Sequence, residues 1–142
     1  MAAYNKFNVF PTDLTNAKHD FSSHTYKVLL TNTAPVATNA VKGDLTEIAA
    51  GNGYTAGGAA TTITKSNSSG TESVKGTNVT FTASGGSIGP FRYVVLYNDT
   101  QTSPNKPLVG WWDYGSSISL NSGETFTVDT AGDSTDVLFT LG

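Results

Sequence analysis

Residues 81–128, FTASGGSIGPFRYVVLYNDTQTSPNKPLVGWWDYGSSISLNSGETFTV, are short β-branched and aromatic runs cut at near-regular intervals by Gly, Pro, Asn and Asp. Runs punctuated in this way are strands of an antiparallel all-β module. The apolar residues are all committed to building sheets, and no cluster of His, Cys or paired carboxylates interrupts them. The segment reads as part of a structural or binding protein rather than an enzyme.

Length and composition narrow the classes further. At 142 residues the chain is one domain long, and a domain of that size buries roughly 68–70% of the surface its unfolded chain exposes, so it needs no covalent staple. It has no Cys, which removes disulfides, thiolate metal sites and Cys nucleophiles. Only 13% of its residues are charged and the net charge is −3. Its eight Lys and Arg, spread from Lys6 to Lys106 without clustering, do not make the basic face through which phosphate neutralisation drives nucleic-acid binding. Thr, Ser, Asn and Gly take the place of charge, a composition suited to exposed sheet and to close packing against another protein. No stretch approaches the roughly 20 apolar residues that span a bilayer, and MAAYNKF lacks the apolar core of a signal peptide. The expectation is a protein made and used in a cytoplasm, or assembled there into something larger.

Residues 1–20 are expected to form an extended arm and a short helical turn beginning near Thr12, capped by Thr12 or Asp13, because Pro11 fits only near a helix start or break. Residues 21–142 are expected to form a single β-sandwich domain. Within it, residues 24–31 are the first strand, with Tyr26, Val28 and Leu30 on one face. Residues 32–41 are a loop, and 44–48 are a helical turn with Asp44 as cap and Glu47 in the capping-box position. The glycine-rich run AAGNGYTAGGAA, residues 49–60, is a loop with several positive-φ positions and matches no phosphate-binding pattern. Further strands are expected at 61–66, 78–83, 91–98, 107–114, 117–120, 124–129 and 136–141, with turn formers between them. The total is about eight, as in a jelly-roll-like antiparallel β-sandwich.

Candidates for chemistry are weak. His19 and His24 flank Asp20, but they straddle a turn with no fixed helical face and no third strong ligand, so solvated turn residues account for them better than a metal does. The acidic run DTAGDSTD, residues 129–136, lacks the ligand spacing and terminal Glu of a calcium loop. Asp113 and Glu124 are the one carboxylate pair on neighbouring strands, and ordinary surface positions explain them without catalysis. No catalytic residue, metal or cofactor is expected.

The aromatic patch Trp111-Trp112-Asp113-Tyr114 carries more information. On a strand Trp111 and Asp113 face one way and Trp112 and Tyr114 the other, so whichever face is core, the opposite face keeps an aromatic. That aromatic is a sugar-stacking platform, a protein-interface anchor, or a ring covered by a loop or by the arm; interfaces are enriched in Trp and Tyr. The arm adds Tyr4, Phe7 and Phe10, too many rings for a solvated tail, and these are expected to pack on a neighbouring subunit or shell. The interface candidates are therefore Tyr4, Phe7, Phe10, Trp111, Trp112 and Tyr114.

The segments GGSIGPFRYVVLYNDT, PLVGWWDYGSSISL and GETFTVD, with YKVLLTNT at 26–33 and LTEIAAGNGYTAGG at 45–58, resemble a family of small virion structural proteins of tailed bacteriophages over most of the chain. The resemblance implies a head decoration, or cement, protein that binds outside the capsid and stabilises it. Its implied partners are the major capsid protein and further copies of itself, as a trimer or alternatively a dimer. Its implied location is the outer capsid surface, after assembly in the bacterial host cytoplasm. A tail or fibre component acting as a receptor- or carbohydrate-binding module shares the same sequence properties.

Overall fold

The computed structural model describes residues 4–130 and 137–142. In chain order these form β1 (Tyr4–Lys6), α1 (Phe10–Thr15), β2 (Tyr26–Thr31), a 3₁₀ turn (Lys42–Asp44), β3 (Ala59–Thr61), β4 (Ile63–Ser68) and β5 (Thr71–Gly76). There follow β6 (Val79–Thr82), β7 (Ile88–Asn98), β8 (Leu108–Leu120), β9 (Thr125–Val128) and β10 (Phe139–Leu141). The pairings are antiparallel throughout, giving a five-stranded sheet in the order β1-β8-β7-β2-β3, a three-stranded sheet β10-β5-β4 and the pair β6-β9. The expected all-β sandwich is therefore present, with its strands distributed five, three and two and joined locally by the β4-β5 and β7-β8 hairpins.

The long strands β7 and β8 organise the rest, because where they pair, through residues 94–97 and 108–112, their sequences are apolar on both faces and both faces are covered. On one face, Tyr26, Val28, Leu30, Val94, Leu96 and Trp112 share a core with Val74, Val79, Phe81, Val128 and Leu138 of the smaller sheets and their flanks. On the other, Leu29, Val95, Tyr97 and Leu108 pack with Phe7 beneath Val9, Leu45 and Trp111. A strand buried on both faces loses polar alternation, which is why RYVVLY reads as a nearly continuous apolar run.

The roof over the second face is the loop between β2 and β3, and Glu47 holds it. Its carboxylate accepts from the Tyr54 hydroxyl at 2.7 Å and the Gly57 amide at 2.5 Å, and pairs with Lys42 at 3.0 Å. The Tyr97 hydroxyl donates to the Gly57 carbonyl at 2.6 Å. The helical turn lies earlier than expected, at Lys42–Asp44 instead of 44–48. Asp44 does cap, but from the turn's end: its carboxylate reaches back to the amides of Ala40 and Val41 at 2.9 and 3.2 Å. Those two donors hold its carboxyl below the usual range.

Three further expectations are revised. The helix begins at Phe10, with Pro11 in its first turn and Val9 at the cap position without a side-chain cap; Asp13 is buried inside it. Strand β5, with the sequence TESVKG, was not expected, since one buried Val gives little apolar signal; the turn Ser69-Gly70, with φ of 52° and 86°, closes the hairpin that creates it. The segments 107–114 and 117–120 are one strand, β8, not two. The turn expected at residues 131–133, and the first residue of the strand expected at 136–141, lie outside the described residues.

The arm is the largest correction. Residues 4–6 pair along β8, Tyr4 opposite Trp112 and Lys6 opposite Gly110. Phe7 is fully buried and Phe10 is 3% exposed. The segment expected to leave its domain is an edge strand of that domain's own sheet.

Candidate functional site

The register between β7 and β8 slips where the aromatic patch lies. Tyr93 is opposite Asp113 and Phe91 is opposite Ile118, so Arg92 alone faces residues 114–117. This is a large bulge, four residues opposite one, a device that bends a strand and re-aims its side chains. Gly115, at φ 103°, supplies the conformation the bend requires.

Arg92 and Asp113 brace the base of the bulge. The guanidinium makes a two-pronged contact, Nε to Oδ1 at 2.8 Å and Nη2 to Oδ2 at 3.1 Å, and the Gly115 amide donates to Oδ1 at 2.8 Å. The Arg92 hydrogen bonds, then the Gly115 amide, hold the Asp113 carboxyl below its usual range. Fork geometry of this kind fixes orientation as well as charge. Glu124, the other carboxylate of the candidate pair, accepts from the Asn121 amide at 2.6 Å and closes the turn before β9. The two acids thus serve separate local structures.

The outcome of the bulge is a groove of about 360 Å³ lined by Val94, Trp112, Tyr114, Phe126, Thr127, Val128 and Asp129. Trp112 is 7% exposed and packs against Tyr4 with ring centroids 5.2 Å apart. Tyr114 is 51% exposed and sits edge-on to Phe126 at 5.5 Å, while Phe126 sits edge-on to Phe91 at 5.0 Å. One ring is consequently held at the surface by two layers of rings beneath it. Trp111 points to the opposite face, with its ring 4.5 Å from Phe7.

Of the six interface candidates, the structure brings Tyr4, Trp112 and Tyr114 to this side of the sheet. Phe7 and Trp111 belong to the second apolar cluster, and Phe10 packs against Phe139 at 5.2 Å and Phe21 at 6.1 Å. The arm's rings are spent within their own domain and are not free to anchor a neighbour. Sequence reasoning missed Phe126, Thr127 and Asp129 as wall residues. The alternation in TFTV foretells that Phe126 and Val128 share a face, but nothing local says that this face meets β8.

The His19-Asp20-His24 segment is engaged in hydrogen bonds rather than gathered around a common point. His19 Nδ1 lies 3.2 Å from the Tyr26 hydroxyl, and His24 Nδ1 lies 2.9 Å from Asn98 Nδ2. Asp20 accepts from the Ser22 amide at 2.8 Å and from the Ser23 hydroxyl at 2.5 Å. Of the acidic run 129–136, only Asp129 and Thr130 are described.

Fold and groove together define an antiparallel β-sandwich that presents an aromatic surface groove built by a strand bulge. Comparison with protein-family models, with curated proteins and with solved structures found no match.

Proposed function

We propose that the chain is a virion structural protein of a tailed bacteriophage, a capsid decoration protein that binds the outer surface of the assembled head and stabilises the shell without catalysing a reaction. The observation that carries this reading is Tyr114, lifted to half exposure over Trp112 and Phe126 by a braced bulge. Ordering a large ring at the surface before a partner arrives removes an entropy cost from association, and Tyr and Trp are the residues in which binding energy concentrates. The sequence resemblance supplies the biological setting.

In this reading the partners are the major capsid protein and other copies of the chain, as a trimer or, alternatively, a dimer. A symmetric oligomer on a symmetry axis of the shell repeats one contact several times, so weak contacts combine. A protein that binds only the assembled shell stabilises it by mass action. Metal and cofactor have no part in the mechanism.

Thr127 and Asp129 in the groove wall favour a second reading, a receptor- or carbohydrate-binding module of a tail or fibre, since polar groups beside an exposed ring can read sugar hydroxyls. Adding purified wild-type and Tyr114→Ser protein to heads that lack it, followed by cryo-electron microscopy, separates the two. Density over the head surface for wild type and reduced occupancy for Tyr114→Ser is the expected result. Density at the tail tip alone, with bare heads, overturns the decoration reading and promotes the second.

A further inference from the structure

Asn98, at the end of β7, is fully buried, and its amide orientation is fixed by its neighbours. Its Oδ1 accepts from the amides of Thr100 and Gln101 at 3.0 and 3.1 Å, so the other side of the group must be the NH₂. That NH₂ faces His24 Nδ1 at 2.9 Å, the Lys18 carbonyl at 3.3 Å, and the Tyr26 hydroxyl and His19 Nδ1 at 3.4 Å. His24 Nδ1 also receives the Asp20 amide at 3.3 Å. Both groups aimed at this nitrogen are donors. His24 Nδ1 therefore carries a lone pair, and the ring proton sits on Nε2.

We propose that His24 and Asn98 form an acid-sensitive latch, in which protonation of His24 Nδ1 releases the turn of residues 18–24 from the ends of β2 and β7. An imidazolium donates from both nitrogens, so the added proton meets the Asn98 NH₂ and the Asp20 amide and turns two attractions into two donor-to-donor encounters. Imidazole is the side chain whose charge changes between pH 5 and 8.

The groups around the latch set its balance. From the turn itself, Asp20 is the near anion; its bonds to Ser23 and Ser22 hold its carboxyl below the usual range. His19, its ring nearly parallel to those of Phe21 and Tyr26 at 5.8 and 5.9 Å, is pushed down to about 4 by burial and by His24, and stays neutral at pH 5. From β4 and β5, Lys65 contacts Ser22 and Glu72 contacts Asn67. Beyond Asn98, Asp99 is occupied by Lys27 and Lys106. Each of these side chains has its own partner, which leaves the Asn98 NH₂ and the Asp20 backbone amide as the groups that meet the His24 proton directly.

The turn has something to uncover. Phe21 lies flat on Tyr26, 4.4 Å between centroids and 7° between planes, and edge-on to Phe139 at 5.2 Å. A cleft of about 570 Å³ borders His19, Asp20, Phe21 and His24 on one side and Lys65, Glu72 and Leu141 on the other, so the outer side of the turn faces open space while Phe21 and His19 anchor its inner side. Ala17, at φ 59° in the left-handed region, stands where the turn joins α1.

Amide hydrogen exchange of the full chain at pH 7.5 and pH 5, corrected for intrinsic rates, tests the latch. Amides of residues 18–24 are expected to lose about tenfold in protection at pH 5, since hydrogen bonds of ordinary net strength are lost, while β7 and β8 stay protected. His24→Gln, which offers an acceptor oxygen and cannot be protonated, is expected to abolish the change. Unchanged protection in wild type, or the same acid transition in His24→Gln, overturns the proposal. The side-chain ¹⁵N spectrum of wild type is a second measurement: an Nδ1–H tautomer of His24 at pH 7.5 overturns it too.

Discussion

Trp111 and Trp112 are neighbours in the chain and close two different apolar clusters, the first against Phe7 at 4.5 Å and the second against Tyr4 at 5.2 Å. The five-stranded sheet passes between them. Trp112→Ala is expected to cost roughly 3–5 kcal/mol, the range for emptying a buried aromatic site. Trp111 is half-buried, and Trp111→Ala should cost about 1–3 kcal/mol. Tyr114→Ser should stay within about 0.5 kcal/mol of wild type, because half of Tyr114 is already in water. Urea denaturation of the three variants measures the order.

The N-terminal segment should be indispensable to the fold. Phe7 is fully buried among Leu29, Val95, Tyr97 and Leu108, so Phe7→Ala is expected to lose roughly 3–5 kcal/mol. Removing residues 1–10 takes away β1, Phe7 and Phe10 together. The truncated chain should lack a cooperative thermal transition by near-ultraviolet circular dichroism.

Gly58 approaches β2 so closely that a Cβ on it would lie 1.8 Å from the Val28 carbonyl oxygen, and its φ is 77°. Gly58→Ala meets both a clash with backbone and the left-handed penalty. A loss of about 3 kcal/mol or more is expected in chemical denaturation, with exchange protection falling first at β3.

Asp99 should contribute to stability in a pH-dependent way. Burial raises its carboxyl, but the hydrogen bonds and charges of Lys106 and Lys27 outweigh burial and hold it below the usual range. A carboxylate depressed in the folded state stabilises above its unfolded value of about 3.9, and that contribution fades as pH falls through the folded value. Asp99→Asn is therefore expected to be less stable than wild type by about 1 kcal/mol at pH 7. The gap should narrow when denaturation is repeated near pH 3.

Several elements were legible because their signals are local. The β2 pattern Tyr26, Val28, Leu30 and the run RYVVLY mark strands on their own, and the glycine-rich run through Gly58 contains the positive-φ residues it demands. The opposite facing of Trp111 and Trp112 follows from the two-residue repeat of a strand. β5 was hidden because TESVKG has one buried apolar residue and depends on its hairpin partner. The docking of Tyr4, Phe7 and Phe10 is not legible, because three closely spaced rings look the same in sequence whether they dock on another subunit or on their own sheet.

The sequence alone determined that the chain builds antiparallel sheets without cysteine, that its charge is sparse, and that consecutive tryptophans must part to opposite faces. These are consequences of composition and of backbone periodicity, which need no knowledge of neighbours. Only the tertiary structure decided that Tyr4 pairs beside Trp112, that Phe126 comes to lie under Tyr114, and that Asn98 meets His24 across 74 residues. Each of those contacts depends on strand order and on a register, that of β1 with β8 for Tyr4, that of β2 with β7 for Asn98 and the slip opposite Arg92 for Tyr114, and register is set by the sum of packing on both faces of the sheet rather than by any single segment.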